Sequence, residues 1–205
     1  MITGETNKII IISSPSGAGK TTICKYLLKK LNNVDLSISY TTRNKRNNEI
    51  EGRDYHFTNK KKFIELKRKN FFIETAKIFN NYYASPYINI NFTSKKNKHI
   101  LFDIDWQGAT KLRRNFSREE IIDFFILPPS KIELKKRLID RGRENHIEIK
   151  KRLSLAFQEI SHYKEYKYIL VNDNINQTVN NILKIIQFEE ILLTIKRRIK
   201  SLKIL

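Results

Sequence analysis

The sequence contains a single cysteine among 205 residues and no long apolar run. One cysteine, Cys24, excludes an intrachain disulfide and favours a reducing compartment. The segment from Met1 to Lys8 lacks the apolar stretch of a secretory signal, and no stretch is apolar over the ~20 residues that a membrane-spanning helix needs. These absences predict a soluble, cytoplasmic protein without a membrane partner. The length suffices for one α/β domain with insertions.

Acidic residues are also scarce, because 21 Asp and Glu oppose 40 Lys and Arg, for a formal net charge of +19. A strongly basic chain is a candidate for nucleic-acid binding. Here, however, the basic residues are spread along the whole chain among many Asn and Ile residues, as AT-rich coding would produce. This distribution favours a solvated basic surface. We therefore expect no specific nucleic-acid partner, while weak nonspecific binding to polyanions stays open.

Short apolar segments alternate with helical patterns along most of the chain. The predicted strands are Ile9–Ser13, Leu36–Tyr40, Ile100–Ile104, Asp123–Leu127 and Tyr168–Val171. The predicted helices are Thr21–Leu31, Gln107–Arg114, Ser130–Asp140, Ile147–Tyr163 and Gln177–Lys200. Continuous apolar strands that alternate with helices are typical of a parallel sheet built from βαβ units and covered by helices. The pattern predicts an α/β fold.

A glycine-rich turn joins the first predicted strand to the first predicted helix. Its sequence is Ser14-Pro15-Ser16-Gly17-Ala18-Gly19-Lys20-Thr21. Strand, glycine-rich turn and Gly-Lys-Thr at a helix start form the phosphate-loop pattern, in which backbone N–H groups surround phosphate oxygens. In this pattern Lys20 reaches the β- and γ-phosphates and the Thr21 hydroxyl ligates Mg²⁺. Ser14 departs from the pattern, which has glycine at that position.

Two segments interrupt the alternation of strands and helices. Residues 41–98 are rich in Arg, Asn, Tyr and Phe, and we interpret them as an inserted α+β subdomain. We assign residues 1–40 and 99–205 to the core. Residues 140–149 are polar, carry Arg141 and Arg143 around a glycine, and are interpreted as a mobile lid. A phosphate loop, an insertion and an arginine-bearing lid indicate a phosphoryl-transfer enzyme that closes over two nucleotides.

Several strings, in order from about Lys8 to Ile186, carry a resemblance to a known family. They are Thr41-Thr42-Arg43, Gly52-Arg53-Asp54-Tyr55, Asn81-Tyr82-Tyr83, Asp103-Ile104-Asp105-Trp106-Gln107-Gly108, Ile126-Leu127-Pro128-Pro129-Ser130 and Ile169-Leu170-Val171-Asn172-Asp173. Together they resemble guanylate kinases, which phosphorylate GMP with ATP. The resemblance implies a P-loop kinase core with a parallel sheet covered by helices, an inserted GMP-binding subdomain and a lid. It also implies a role in purine nucleotide metabolism and GMP recycling, with dGMP as a further acceptor.

The resemblance also implies a role for each candidate site residue. The GMP phosphate would be bound by Arg43, Arg46, Tyr55 and Tyr83. The guanine site would be lined by Ser39, Glu74, Ser85 and Asp105. ATP would be bound by Ser14, Pro15, Ser16, Gly17, Ala18, Gly19, Lys20 and Thr21, with Asn172 near adenine. The transferred phosphoryl group would be stabilised by Lys20, Arg137, Arg141 and Arg152, whereas Arg143 has a less definite role. Mg²⁺ would accompany ATP, with Thr21 as a ligand and Asp103 in an outer position.

The chemistry of the base agrees with these candidates. Guanine presents N1–H and N2–H₂ donors on one edge, which carboxylates such as Glu74 and Asp105 accept, whereas adenine N1 is itself an acceptor. Two positions depart from the family pattern: Ser14 replaces the glycine or alanine usual at the start of the phosphate loop, and Ala84 follows the Tyr-Tyr pair where glycine is common. If the backbone at residue 84 needs a positive φ, alanine costs about 1 kcal/mol there.

Three other functions are weighed against a GMP kinase. A guanylate-kinase-like binding module without activity is disfavoured because Lys20, Thr21 and the lid arginines are present. A kinase for another nucleotide, such as dGMP or IMP, is left open. A nucleic-acid-binding protein is suggested by charge alone. The oligomeric state stays open, as does the role of the basic, apolar stretch Thr194–Leu205, for which packing on the core, pairing with another subunit and fraying are alternatives.

Overall fold

The computed structural model describes residues 8–90, 98–140 and 146–202, of which residues 140, 146–148 and 200 are described by their backbone alone. The strands are β1 (Ile9–Ser13), β2 (Val34–Leu36), β3 (Tyr40–Thr41), β4 (His56–Phe57), β5 (Phe72–Ile78), β6 (Asn81–Pro86), β7 (His99–Asp103), β8 (Ile121–Leu127) and β9 (Tyr168–Val171). The helices are α1 (Lys20–Lys30), α2 (Lys60–Arg68), α3 (Trp106–Asn115), α4 (Lys131–Asp140), α5 (His146–Ile160) and α6 (Ile175–Ser201), and a 3₁₀ helix spans Tyr163–Glu165.

The chain divides into two compact units. The first comprises Met1–Ser14 and Asn33–Asp123, and the second comprises Pro15–Asn32 and Phe124–Leu205. In the first unit, β2 and β1 pair in parallel with β7 on either side, with Ile9 opposite Ile100 and Val34 opposite His99. All five residues of β1 are buried, which explains its continuous apolar sequence.

A second sheet in the first unit contains the strands of the predicted insertion. Its strand order is β4-β3-β6-β5, and β6 is antiparallel to both of its neighbours. Phe63 of α2 packs with Phe72 and Ala84, and these three buried residues form a separate small core. This core fixes β5 and β6 together, and those strands carry three of the candidate site residues.

The second unit contains the phosphate loop, α1, the end of β8, β9 and α4 to α6. Strand β8 pairs in parallel with β9, with Phe125 opposite Ile169. Leu134 and Leu138 of α4 pack on Ala156 of α5, so the two helices share a buried core. Helix α6 contacts α1, and Val179, Ile182 and Ile186 in the first half of α6 are buried.

The predicted α/β class is confirmed, and Ile9–Ser13 and Tyr168–Val171 are strands with the predicted bounds. The prediction of one strand over Leu36–Tyr40 was wrong. Val34–Leu36 pairs with β7 in the parallel sheet, whereas Tyr40–Thr41 pairs with β4 and β6 in the other sheet. Helix α5 ends at Ile160 rather than at Tyr163.

The helix at the end of the chain runs without interruption to Ser201. Beyond its packed first half, several apolar side chains at helical spacing are exposed, namely Phe188, Ile191, Ile195, Ile199 and Leu202. Within residues 8–90, 98–140 and 146–202, none of the helices combines the length and apolarity that crossing a bilayer requires.

Candidate functional site

The turn before α1 has the backbone shape of a phosphate loop. Gly17 and Gly19 adopt φ angles of 95° and 101°, which L-residues with a side chain rarely adopt. A Cβ on Gly17 would lie 3.0 Å from Leu134 Cδ1, so α4 also packs closely against the loop. No side chain caps the start of α1, and its first turn carries no acidic residue. The helix N-terminus therefore suits an anion such as a phosphate group.

Asn172, which follows β9, is in contact with this loop. Its Nδ2 donates to the carbonyl of Ala18 at 2.8 Å, and its Oδ1 accepts from the Thr178 hydroxyl at 3.1 Å. Its backbone N–H donates to the carbonyl of Leu127 at 2.8 Å, so the end of β9 is fixed to the end of β8. A Cβ on Gly19 would lie only 2.6 Å from Asn172 Nδ2. Glycine at position 19 is therefore required both by its φ angle and by its neighbour.

The described candidate arginines of the second unit lie on α4 and α5. The Arg137 guanidinium donates to Glu133 Oε1 at 3.0 Å and to the carbonyl of Asn172 at 3.4 Å. Arg152 lies half-buried on α5. Arg141 and Arg143 fall outside the described residues. Sequence reasoning missed Glu159, also on α5, whose carboxylate accepts from the backbone N–H of Ser16 in the loop at 3.0 Å.

In the first unit, sheet register brings three candidate guanine residues into one row. Tyr40 lies opposite Ala84, so Ser39 comes opposite Ser85, and Ser85 in turn lies opposite Glu74. Residues opposite each other on neighbouring strands share a face of the sheet. The Ser39 and Ser85 hydroxyls are 3.1 Å apart, and the Ser85 hydroxyl donates to Glu74 Oε1 at 2.8 Å. All three side chains are buried.

The second oxygen of the Glu74 carboxylate has an unusual environment. Glu74 is 3% exposed, and its Oε2 has no hydrogen-bond partner among the described residues. Burial raises the pKa of Glu74 to about 7; the charge of Asp105 adds to the rise, whereas the Ser85 hydroxyl and Lys111 oppose it. A buried acceptor without a donor is costly unless a ligand supplies one. Oε2 is therefore a place where a ligand N–H would be stabilised.

Asp105 directly precedes α3, and its carboxylate caps the start of that helix. Its Oδ1 accepts from the backbone N–H of Gly108 at 3.0 Å, and its Oδ2 accepts from Gln107 Nε2 at 3.0 Å. Such a cap fixes the side chain in one orientation. Asp103 lies half-buried at the end of β7, in register with Ile12 of β1.

The candidate phosphate-binding residues of the first unit surround Arg43. Its guanidinium pairs with Glu49 at 2.6 Å and lies 5.5 Å from the ring centroid of Tyr55. Burial opposes the charged form, but the hydrogen bond and charge of Glu49 raise the pKa of Arg43. The Tyr55 and Tyr83 rings meet edge to face at 6.1 Å, whereas Arg46 is exposed and its backbone N–H donates to Glu49. Glu49 is a second residue that sequence reasoning missed as a partner.

The two departures from the family pattern are accommodated. Ala84 is fully buried in regular strand and is not among the residues with positive φ, so the cost considered for alanine does not arise. Ser14 is 6% exposed and also has an ordinary φ.

The described side chains offer few ligands for a metal ion. The described residues contain no group of three His, Cys, Asp or Glu side chains that could hold a metal ion. Mg²⁺ that is bound to a nucleotide needs fewer protein ligands, because phosphate oxygens and water fill most of its coordination sphere. The exposed Thr21 hydroxyl in the first turn of α1 fits that requirement.

Comparisons with known proteins agree with this geometry. The family model described as guanylate kinase matches residues 6–189. The guanylate kinase of Rickettsia felis is 45% identical over 181 residues, which cover 88% of this chain and 93% of that relative. That of Clostridium tetani is 41% identical over 186 residues, covering 91% and 88% respectively.

A solved structure gives the same result for the fold. The crystal structure of guanylate kinase from Anaplasma phagocytophilum has a TM-score of 0.77 and 34% sequence identity, and the match covers 93% of this chain and 89% of that one. The resemblance found in the sequence is thereby confirmed, as is the P-loop kinase fold. The chain belongs to the guanylate kinase family, whose members phosphorylate GMP to GDP with ATP as the phosphoryl donor.

Proposed function

We propose that this chain transfers the γ-phosphoryl group of ATP to GMP, giving ADP and GDP. Separate groups of the candidate residues are proposed to bind guanine, the GMP phosphate and ATP. dGMP is proposed as a further acceptor, and purine nucleotide metabolism with GMP recycling in the cytoplasm as the setting. The row formed by Ser39, Ser85 and Glu74 carries the proposal. It joins two hydroxyls to a buried carboxylate whose Oε2 lacks a donor.

Guanine is proposed to complete the hydrogen bonding of this row. Its N1–H and N2–H₂ groups would donate to Glu74 and Asp105, and a serine hydroxyl would donate to its O6. Adenine presents a bare N1 to the same carboxylates, so two acceptors would face each other. Because unpaired polar groups in a closed site cost about 1–3 kcal/mol each, this arrangement would select guanine.

The GMP phosphate is proposed to bind Arg43, Arg46, Tyr55 and Tyr83. The Arg43 guanidinium is already oriented by Glu49 and by the Tyr55 ring. A planar guanidinium binds phosphate oxygens through two parallel hydrogen bonds. The segment that carries these residues, residues 41–98, is proposed as the GMP-binding insertion into a core of residues 1–40 and 99–205.

ATP is proposed to bind through the loop from Ser14 to Thr21, with Lys20 on its β- and γ-phosphates and Asn172 near adenine. An oxygen of the GMP phosphate would attack the γ-phosphorus as the bond to the β–γ bridging oxygen breaks. Lys20 of the loop would stabilise the charge on the transferred group together with Arg137, Arg141 and Arg152, which belong to a lid of about residues 140–149 and the helices beside it. Mg²⁺, held by Thr21 with Asp103 in an outer position, would neutralise phosphate charge.

A coupled assay of ADP release with GMP, dGMP, AMP, CMP and UMP tests this function. We expect turnover with GMP, lower turnover with dGMP and at most trace activity with the other three. Equal activity with AMP would contradict the guanine site. Binding of GMP without any ADP release would instead favour the binding-module alternative.

A further inference from the structure

Helix α3 forms one wall of the environment around Glu74. Asp105, Gly108 and Lys111 are spaced three residues apart from the cap onward, so they lie along one face of the helix. Helix α3 packs against β5, the strand that carries Glu74. The face of α3 toward Glu74 thus carries the Asp105 carboxylate, the Gly108 position without a side chain and the Lys111 ammonium.

Gly108 leaves room for the carboxylate. A Cβ at this position would lie 2.8 Å from Glu74 Oε2 and 3.2 Å from Glu74 Cδ, and both separations are too short for ordinary contact. The unpartnered oxygen therefore lies directly against the backbone of α3. It can remain there because residue 108 has no side chain.

Lys111 joins the helix to the residue next to Glu74. Its ammonium donates to the carbonyl of Thr75 and, at 2.8 Å, to the Thr75 hydroxyl. The Lys111 side chain is half-buried. Burial lowers its pKa, as do the charges of Lys67 and Arg114, whereas the charges of Glu74 and Asp105 raise it. In turn, Lys111 is the cation that opposes the effect of burial and of Asp105 on Glu74.

We infer that Lys111 is a positioning residue for guanine recognition, which holds the Glu74 carboxylate in place and favours its ionised form beside a second carboxylate. Two buried carboxylates repel each other, and each accepts the guanine donors most strongly when it is anionic. A nearby ammonium group reduces that repulsion, and its hydrogen bonds to Thr75 fix the strand next to Glu74. This inference rests on the proposed function, because it names a further residue of the same site.

Three variants test the role of Lys111. Lys111→Met removes the charge, Lys111→Arg keeps it, and Arg114→Met removes an exposed charge from the same helix as a control. We expect Lys111→Met to raise the KM for GMP about tenfold near pH 7, in the range of couplings measured between contacting residues, and to leave the KM for ATP within about twofold. Lys111→Arg should restore most of the affinity, and Arg114→Met should match the wild type.

The pH dependence separates charge from simple packing. The groups that face Glu74 are Ser85 on β6 and Asp105 and Lys111 on α3. Without Lys111, Glu74 would ionise at higher pH, so the defect in GMP binding should shrink toward about pH 8. A defect of equal size at all pH values, or an equal defect in Arg114→Met, would overturn the inference.

A double-mutant cycle with Glu74→Gln shows whether Lys111 acts through Glu74. In the Glu74→Gln background, Lys111→Met should change the dissociation constant for GMP by less than about twofold. Fully additive effects would overturn the inference. GMP binding measured by calorimetry makes this test independent of turnover. If the wild-type protein binds GMP without turnover, the proposed function is contradicted, while the inference about Lys111 is still tested by the binding data. If Lys111→Met does not fold, as judged by circular dichroism, Lys111→Gln replaces it in the same cycle.

Discussion

The Nδ2 atom of Asn172 lies 2.8 Å from the carbonyl oxygen of Ala18, so a buried side chain at the end of β9 holds the loop before α1. The Ala18 carbonyl is turned toward Asn172, between two glycines with positive φ. The Arg137 guanidinium donates to the carbonyl of the same asparagine. Asn172 therefore links a candidate phosphate-binding loop to a candidate arginine.

Replacing Asn172 by Asp should weaken ATP binding. The change is nearly isosteric, but it removes the Nδ2 donor and places a carboxylate against the Ala18 carbonyl. A buried acceptor left without a donor costs about 1–3 kcal/mol, or roughly a 5- to 150-fold rise in the KM for ATP. The KM for GMP should stay within about twofold, because no GMP-binding role is proposed for Asn172. Asp173→Asn, at the exposed neighbour, is the matched control. An equal loss of ATP and GMP affinity would argue against this role.

Replacing Lys20 by Ala should leave the fold intact and remove most turnover. Lys20 is the first residue of α1 and directly follows Gly19. Loss of one group that stabilises transition-state charge lowers kcat on the order of 10²–10³-fold. Thermal unfolding followed by circular dichroism checks the fold, and a coupled ADP assay measures kcat. Lys25→Ala, an exposed lysine on the same helix, should retain full activity. Near-normal turnover in Lys20→Ala would mean that the loop does not bind the transferred phosphate.

The sequence predicts much of this fold because its signals are local. The buried run of β1 and the glycine-rich turn after it lie next to each other in the chain, and both are where the pattern puts them. The division of the segment around Leu36–Tyr40 between two sheets depends on pairing with distant partners. Val34 pairs with His99 and Tyr40 pairs with Ala84, which no local pattern encodes.

The candidate site shows the same limit. Glu74, Ser85 and Ser39 are predicted separately, but their row follows from the register of β3, β6 and β5. Lys111 escaped sequence reasoning because its relation to Glu74 requires α3 to pack on β5. The three-residue spacing of Asp105, Gly108 and Lys111 was a visible signal. It gains meaning only when the partner strand is known.

Glu74 should make the free energy of unfolding fall as pH rises. Its folded pKa, about 7, lies above the ordinary value of 4.5, so the folded state holds a proton that the unfolded state has released. As the pH rises between these two pKa values, the free energy of unfolding decreases by ~3 kcal/mol in total. Glu74→Gln should therefore be more stable than the wild type above about pH 7, with a smaller difference near pH 4.5.

Urea unfolding at several pH values measures this difference between the wild type and Glu74→Gln. Glu65→Gln is a suitable control, because Glu65 is partly exposed and its lysine partners, Lys69 and Lys62, lower its pKa instead. A constant difference in stability between wild type and Glu74→Gln at all pH values would show that Glu74 titrates normally.

Replacing Gly108 by Ala should impair GMP recognition without impairing α3. Alanine is the better helix former by about 1 kcal/mol, so the helix itself gains stability. Its Cβ would lie 2.8 Å from Glu74 Oε2, and the carboxylate would have to move. We expect the KM for GMP to rise about tenfold, the cost of misplacing one partner of a charged hydrogen bond, with the KM for ATP unchanged. Arg114→Ala, at an exposed position of α3, is the control for an alanine placed away from Glu74. IMP lacks the exocyclic amino group of GMP, so the preference for GMP over IMP should also fall if Oε2 accepts from that group. An unchanged preference in Gly108→Ala would mean that the amino group is bound by another acceptor.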